Sequence, residues 1–96
     1  MQHKLLYHPD VFKIDIQPIP RNIRERILKA IETRLLNDPV MAGMPLRQSL
    51  KGHRKMRVGD FRVIYKVEGT DIIILKIGDR RDVYEEVFKR VHRGIK

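Results

Sequence analysis

The sequence predicts one α+β domain spanning residues 1–96, a small and mainly antiparallel sheet with helices on one face. Three observations carry that expectation. Residues 54–77 hold three closely spaced runs with the apolar/polar alternation of strands, punctuated by Gly59-Asp60 and Gly69. Residues 22–36 set apolar side chains at helical spacing, and so does a segment after Asp82. The resulting order βα(α)βββα packs N-terminal helices on the sheet and ends in a C-terminal helix. A chain of 96 residues is long enough to bury a single core, and no repeat, low-complexity tract or linker divides it.

Taken in order, Lys4–Tyr7 reads as a short first strand stopped by Pro9, and Asp10–Ile16 as a brief helix closed by Pro18 and Pro20. In NIRERILKAIETRLL, Ile23, Ile27, Leu28, Ile31 and Leu35 form one apolar stripe, read as core because an isolated sheet needs a cover. Asn22 with Glu25 fits a capping box, Glu25–Lys29 is a favourable i,i+4 pair, and Asn37-Asp38-Pro39 ends the helix. Residues 40–53 have no period, contain two Gly and a Pro, and read as a loop. Strands follow at about 54–58, 61–67 and 71–77. Asp82 with Glu85 repeats the capping signal, and Tyr84, Val87, Phe88 and Val91 mark the last helix.

Composition narrows the function. The hydrophobic content of 42% argues for a folded globule. Absence of cysteine excludes disulfides and thiolate metal sites and suits the cytoplasm. The opening MQHKLLYHPD lacks a secretory apolar core, and the longest apolar run is Ile72–Leu75, so no membrane association is expected. Net charge is +9, and it is uneven: residues 1–46 hold seven bases and five acids, residues 47–96 fourteen and seven. A basic half of this kind points to a polyanion, most often nucleic acid.

The stretch RKMRVGDFRVIY concentrates that charge. With Gly59-Asp60 as a two-residue hairpin loop, Val58 faces Phe61, Met56 faces Val63, Arg57 faces Arg62 and Lys55 faces Ile64. Alternation then sends Lys55, Arg57 and Arg62 to one side and Met56, Val58, Phe61, Val63 and Tyr65 to the other, toward the helices. Like charges side by side are unfavourable, and a phosphate relieves them well because guanidinium forks match its oxygens. Arg80 and Arg81 stand just beyond the last strand, and Tyr84 opens the final helix, either as a core aromatic or as a ring that stacks on a base. Lys51, His53, Arg54 and Arg81 are further candidate RNA contacts. The four histidines are scattered without metal-ligand spacing, so no metal or other cofactor is expected.

The runs LKG, KMRVGDFRVIYKV and IIILKIGDRRDVYEEV resemble the RelE group of bacterial and archaeal toxin–antitoxin ribonucleases, and the likeness covers essentially the whole chain. What the resemblance implies is a ribosome-dependent endoribonuclease that cleaves mRNA in the A site, in contact with 16S rRNA, and that a cognate antitoxin holds inactive. The family's catalytic residues then match Lys55, Arg57, Arg62, Arg80 (with Arg81 as the alternative) and Tyr84. Two other readings compete: a gyrase inhibitor like the related ParE group, and an inactive nucleic-acid-binding module.

Overall fold

The computed structural model describes residues 3–93. Five strands form one mixed sheet: β1 (Lys4–Tyr7), β2 (Met44–Pro45), β3 (Arg54–Val58), β4 (Phe61–Glu68) and β5 (Asp71–Asp79), in the order β1-β5-β4-β3-β2. β1 runs parallel to β5, and every other neighbouring pair is antiparallel. A π-helical turn covers Val11–Asp15; helix α1 (Arg21–Ala30) continues as a second such turn over Ile31–Leu35, and helix α2 covers Val83–Arg93. Among the described residues no helix is long and apolar enough to cross a membrane.

The hairpin register is the expected one, with Val58 opposite Phe61, Met56 opposite Val63, Arg57 opposite Arg62 and Lys55 opposite Ile64. Gly59 takes φ +60°, a conformation L side chains rarely adopt, which is why the turn closes in two residues. Alternation from that turn feeds one face of the sheet with Met56, Val58, Val63 and Tyr65, which pack with Ile72, Ile74 and Ile77 against Ile27, Ile31 and Leu35 of the N-terminal helix. Ile23 and Leu28 lie at the edge of the same cluster, so the predicted stripe is core.

Helix α2 is not on that face. Its Val83 and Val87 pack with Leu50 and Ile64 in a separate cluster that Leu46, Leu75, Tyr84 and Val91 border. Ile64 alternates with Val63 and Tyr65, so α2 covers the opposite side of the sheet, and the expectation of helices on a single face is corrected. Ile72–Leu75 has apolar side chains at consecutive positions, enough to line both faces, which a one-sided strand does not need.

Other boundaries differ locally. Helix α1 begins at Arg21 directly after Pro20, which stands at the N-cap with no side-chain cap bond. Asn22 therefore lies inside the helix and forms no capping box, and Glu25 pairs with Arg21 at 3.3 Å instead of with Lys29. The 40–53 segment contains the two-residue strand β2 and a 3₁₀ turn over Gln48–Leu50, both too short to show a period in sequence.

The pairing of β4 with β5 shifts register within the strands. Ile64 pairs with Lys76 while Tyr65 pairs with Ile74, so Leu75 is an extra residue in a β-bulge. The bulge shifts the phase of alternation: Ile77 enters the first core, while Lys76 and Gly78 turn toward α2. Lys76 Nζ there meets Asp15 Oδ1 at 2.9 Å and Glu86 Oε1 at 3.2 Å. Asp15, from the first π-helical turn, has no exposed side chain. Its carboxylate also accepts the Ile77 N–H at 3.0 Å, Arg90 Nη1 at 2.8 Å and Arg90 Nη2 at 2.9 Å.

Burial by itself would raise the Asp15 pKa, but hydrogen bonds from Arg90, the Ile77 amide and Lys76 overcome it and hold the carboxyl below its ordinary 3.8. Asp15→Asn should lower stability by about 3 kcal/mol, because Lys76 and Arg90 stay buried with their counter-charge gone; urea unfolding at neutral pH measures it. The folded value is depressed, so the contribution is complete above 3.8 and is lost as pH falls through the lowered value. Unfolding midpoints taken downward through that range should fall more steeply for the native chain than for Asp15→Asn.

Candidate nucleic-acid interface

Lys55 and Arg57 on β3 and Arg62 on β4 share the α2 side of the sheet, as alternation from the turn requires. Arg62 has Arg57 as one cross-strand neighbour and Gly78 as the other. A side chain at Gly78 would press on Val83, with Cβ only 3.2 Å from Val83 Cγ2, so glycine lets the start of α2 sit against the sheet there. Tyr84 follows in the first turn of α2, half-buried at the border of the second cluster, with Lys55 Nζ 5.4 Å from its ring centroid. A cation over a tyrosine face is attracted by the ring quadrupole, which fixes the two groups together.

Beside this row lies a cavity of about 310 Å³ lined by Arg34, Ala42, Gly43, Met44, Lys55, Arg57 and Arg62. Four of the seven lining residues are cations and none is an acid. Two of the three guanidiniums are held by carbonyls. Arg62 Nη1 donates to Gly59 O at 3.1 Å and Phe61 O at 3.0 Å, and Arg34 donates to Arg57 O at 3.2 Å and Ala42 O at 3.4 Å. Carbonyls satisfy donors and orient the forks without cancelling their charge. The cavity is thus a preorganised cationic concavity, suited to a phosphate.

Arg34 was not singled out from sequence. It lies 23 positions from Arg57, on the turn that continues α1, and only its long reach past the sheet edge brings the two together. The signal available was no more than a basic residue near a helix end.

Among the other predicted residues, Arg80 is exposed, and its N–H donates to Asp60 O at 3.0 Å, which brings it to the hairpin turn. Arg81 is held by Asp79, whose Oδ1 accepts its N–H at 2.9 Å and its Nε at 3.0 Å. Those bonds keep the Asp79 carboxyl below its ordinary range and raise the Arg81 guanidinium. Arg81 charge is therefore offset within the loop, and neither arginine is among the residues that line the cavity.

Lys51, His53 and Arg54 are not brought to the cavity. Lys51 is exposed beside the 3₁₀ turn, outside the residues that line it. His53 lines a different cavity of about 300 Å³, with His8, Lys66, Glu68, Leu75 and Arg90. Arg54 faces the other way, donating from Nη2 to Val40 O at 2.6 Å and Gly43 O at 3.0 Å. Together with the Tyr65 hydroxyl, which donates to Pro39 O at 2.6 Å, it clamps the 39–43 loop. Gly43 is required in that loop, since a Cβ would strike the Tyr65 hydroxyl and the Lys55 carbonyl. Arg54 thus builds the cavity wall from behind. Among the described residues no group of three His, Asp or Glu side chains is placed to hold a metal ion.

The result is a mixed five-stranded sheet covered by helices on both faces, carrying a basic hairpin beside the start of its last helix. The chain belongs to the RelE/ParE toxin family: a family model for the ParE toxin of the type II toxin–antitoxin system, parDE, matches residues 6–84. The toxin RelG of Mycobacterium tuberculosis is 31% identical over 72 residues, covering 73% of this chain and 83% of the relative. The toxin RelE of the same organism is 37% identical over 54 residues, 56% of each chain. In fold, the chain is similar to the RelBE2 toxin–antitoxin complex of Mycobacterium tuberculosis, with TM-score 0.76 and 23% identity over 83% of this chain and 100% of that one. A variant of the E. coli toxin RelE in the free state gives TM-score 0.73 and 18% identity with both chains fully covered.

The contrast between Arg80 and Arg81 is measurable. Arg80→Ala should weaken binding to single-stranded RNA and reduce the slope of log K against log salt by about 0.7, the value for one lost phosphate contact. Arg81→Ala should leave the slope nearly unchanged. Fluorescence anisotropy titrations at three or more salt concentrations check both.

Proposed function

We propose that this toxin is an endoribonuclease, an mRNA interferase that cleaves mRNA in the ribosomal A site within the cytoplasm and so inhibits translation. The observation that carries the reading is the cavity in which Arg34, Lys55, Arg57 and Arg62 converge with no acid among the lining residues. Guanidinium forks converging on one concavity match the oxygens of a phosphate.

The reaction uses the RNA's own 2′-hydroxyl as nucleophile. It attacks the adjacent phosphorus as the bond to the 5′ oxygen breaks, leaving a 2′,3′-cyclic phosphate and a free 5′-hydroxyl. A metal is not required for that step. Arg57 and Arg62 offset charge developing on the phosphoryl oxygens. Lys55, beside the like charges of Arg57 and Arg62, takes the role of base toward the 2′-hydroxyl in its neutral amine form. Arg80 stabilises the departing 5′ oxygen, which takes its proton from water. Tyr84 carries a stacked base that bends the backbone toward in-line attack. Arg34 joins the set as an additional phosphate contact. The remaining basic surface, Lys51 included, meets 16S rRNA.

Similar folds occur in RelB–RelE antitoxin–toxin complexes, including one from Methanococcus jannaschii with TM-score 0.64 and 24% identity. That supports a cognate antitoxin as partner here, holding the toxin inactive until released. One observation favours a second reading: the matching family model is named for ParE, and a ParE-like protein would arrest growth by inhibiting gyrase.

Induction of the native chain in growing cells, followed by mapping of mRNA 5′ ends, separates the two. The expected result is codon-phased cuts that fall at least about 100-fold in Arg62→Ala, the scale of losing one donor to a developing oxyanion. Growth arrest with intact mRNA and trapped gyrase would support the second reading instead.

A further inference from the structure

The geometry points to Asp15 as a positioning residue for the reaction: its carboxylate fixes the seat of α2 and thereby holds Tyr84 beside Lys55. This rests on the ribonuclease reading. The apolar contact between α2 and the sheet is small, with Val83 and Val87 its buried members facing Leu50 and Ile64. With only Val83 and Val87 fully buried, and Tyr84 and Val91 half-buried at the border, this apolar stripe leaves the rotation and axial position of the helix loosely specified. Charge supplies the missing specification. Arg90, three residues beyond Val87, has its side chain only 7% exposed and grips both Asp15 oxygens as a fork, at 2.8 and 2.9 Å, while Nη1 also donates to Leu75 O at 2.8 Å.

One turn earlier, Glu86 meets Lys76, which itself holds the other side of Asp15. Asp10 adds a longer contact to Arg90 Nε at 3.9 Å. Two positions of α2 spaced i,i+4 are thus tied to one buried carboxylate, which is in turn fixed to β5 by the Ile77 amide. A bidentate guanidinium–carboxylate pair tolerates little rotation. The clasp lies about 9 Å along the helix from Tyr84, six residues at 1.5 Å each, so a rotation at Arg90 is transmitted to the ring as a rigid body.

The bulge at Leu75 belongs to the same device. Without it Lys76 would continue the alternation of Ile72 and Ile74 into the first core. Buried ion networks contribute weakly to stability compared with apolar replacements, and fixing a unique geometry is their best-attested use.

The test separates positioning from bulk stability. The chain has three tyrosines, so ring-labelled tyrosine NMR can follow Tyr84 on the α2 side while Tyr65, fully buried in the other core, serves as the control. In Asp15→Asn the Tyr84 signal should shift and broaden while Tyr65 stays in place. Cleavage of ribosome-bound mRNA should lose at least about tenfold in kcat with KM changed less than about twofold, the split expected when an interaction acts on the reaction step and not on binding. A lowered melting temperature with Tyr84 unmoved and kcat retained would overturn the proposal.

Should Asp15→Asn fail to fold, the triple variant Asp15→Leu, Lys76→Met, Arg90→Met replaces the network with apolar volume and keeps α2 docked. It should melt at or above the native temperature yet show a displaced Tyr84 and low kcat; a native Tyr84 signal and native kcat would overturn the proposal equally. Glu86→Gln, which removes only the outer bond from a half-exposed side chain, should displace Tyr84 in the same direction by less, and no displacement there argues against the clasp. If the native chain cleaves no mRNA, the ribonuclease reading falls, while the Tyr84 displacement still decides whether Asp15 seats the helix.

Discussion

A two-residue turn at Gly59-Asp60 constrains everything around it. Positive φ at Gly59 closes the hairpin with no slack, so Val58 must face Phe61 and each further pair follows by alternation. A slip of one residue would send Met56, Val58, Val63 and Tyr65 out of the first core and draw Arg57 and Arg62 into it. The burial of those four apolar residues therefore enforces the exposure of the cations. The core and the candidate site are two faces of one register.

Three guanidiniums in and behind the cavity are held by carbonyls, not by acids. Arg62 leans on the carbonyls of its own turn, Arg34 on those of Arg57 and Ala42, and Arg54 on those of Val40 and Gly43. Each bond satisfies a donor and fixes an orientation while leaving the positive charge in place. Where the fold does neutralise arginines it does so elsewhere: Arg81 on Asp79 and Arg90 on Asp15. Acids are absent from the cavity and used around it, so the charge available to a phosphate is localised.

The helix that closes the chain depends on the same sheet through a different device. The register across β3 and β4 leaves Ile64 as the apolar contact for α2, and the bulge at Leu75 delivers Lys76 to the same side. One small apolar cluster and one buried carboxylate then seat a helix whose first turn carries Tyr84.

Much of this was legible in the sequence, because it rests on short-range rules. Turn chemistry and period-two alternation determined the hairpin, its register and the common face of Lys55, Arg57 and Arg62. The 3.6-residue stripe Ile23–Leu35 determined a helix that covers the sheet. What lay beyond reach involves residues far apart in the chain. Only tertiary packing decided that α2 covers the opposite face, because an apolar stripe does not state which side of a sheet it meets. Likewise it decided that Arg34 enters the cavity, that Arg54 turns behind it and that Asp15 joins Lys76 and Arg90 across 61 and 75 positions. Hydrogen bonds and ion pairs of that separation follow from where the backbone has already been carried, and local pattern contains no trace of them.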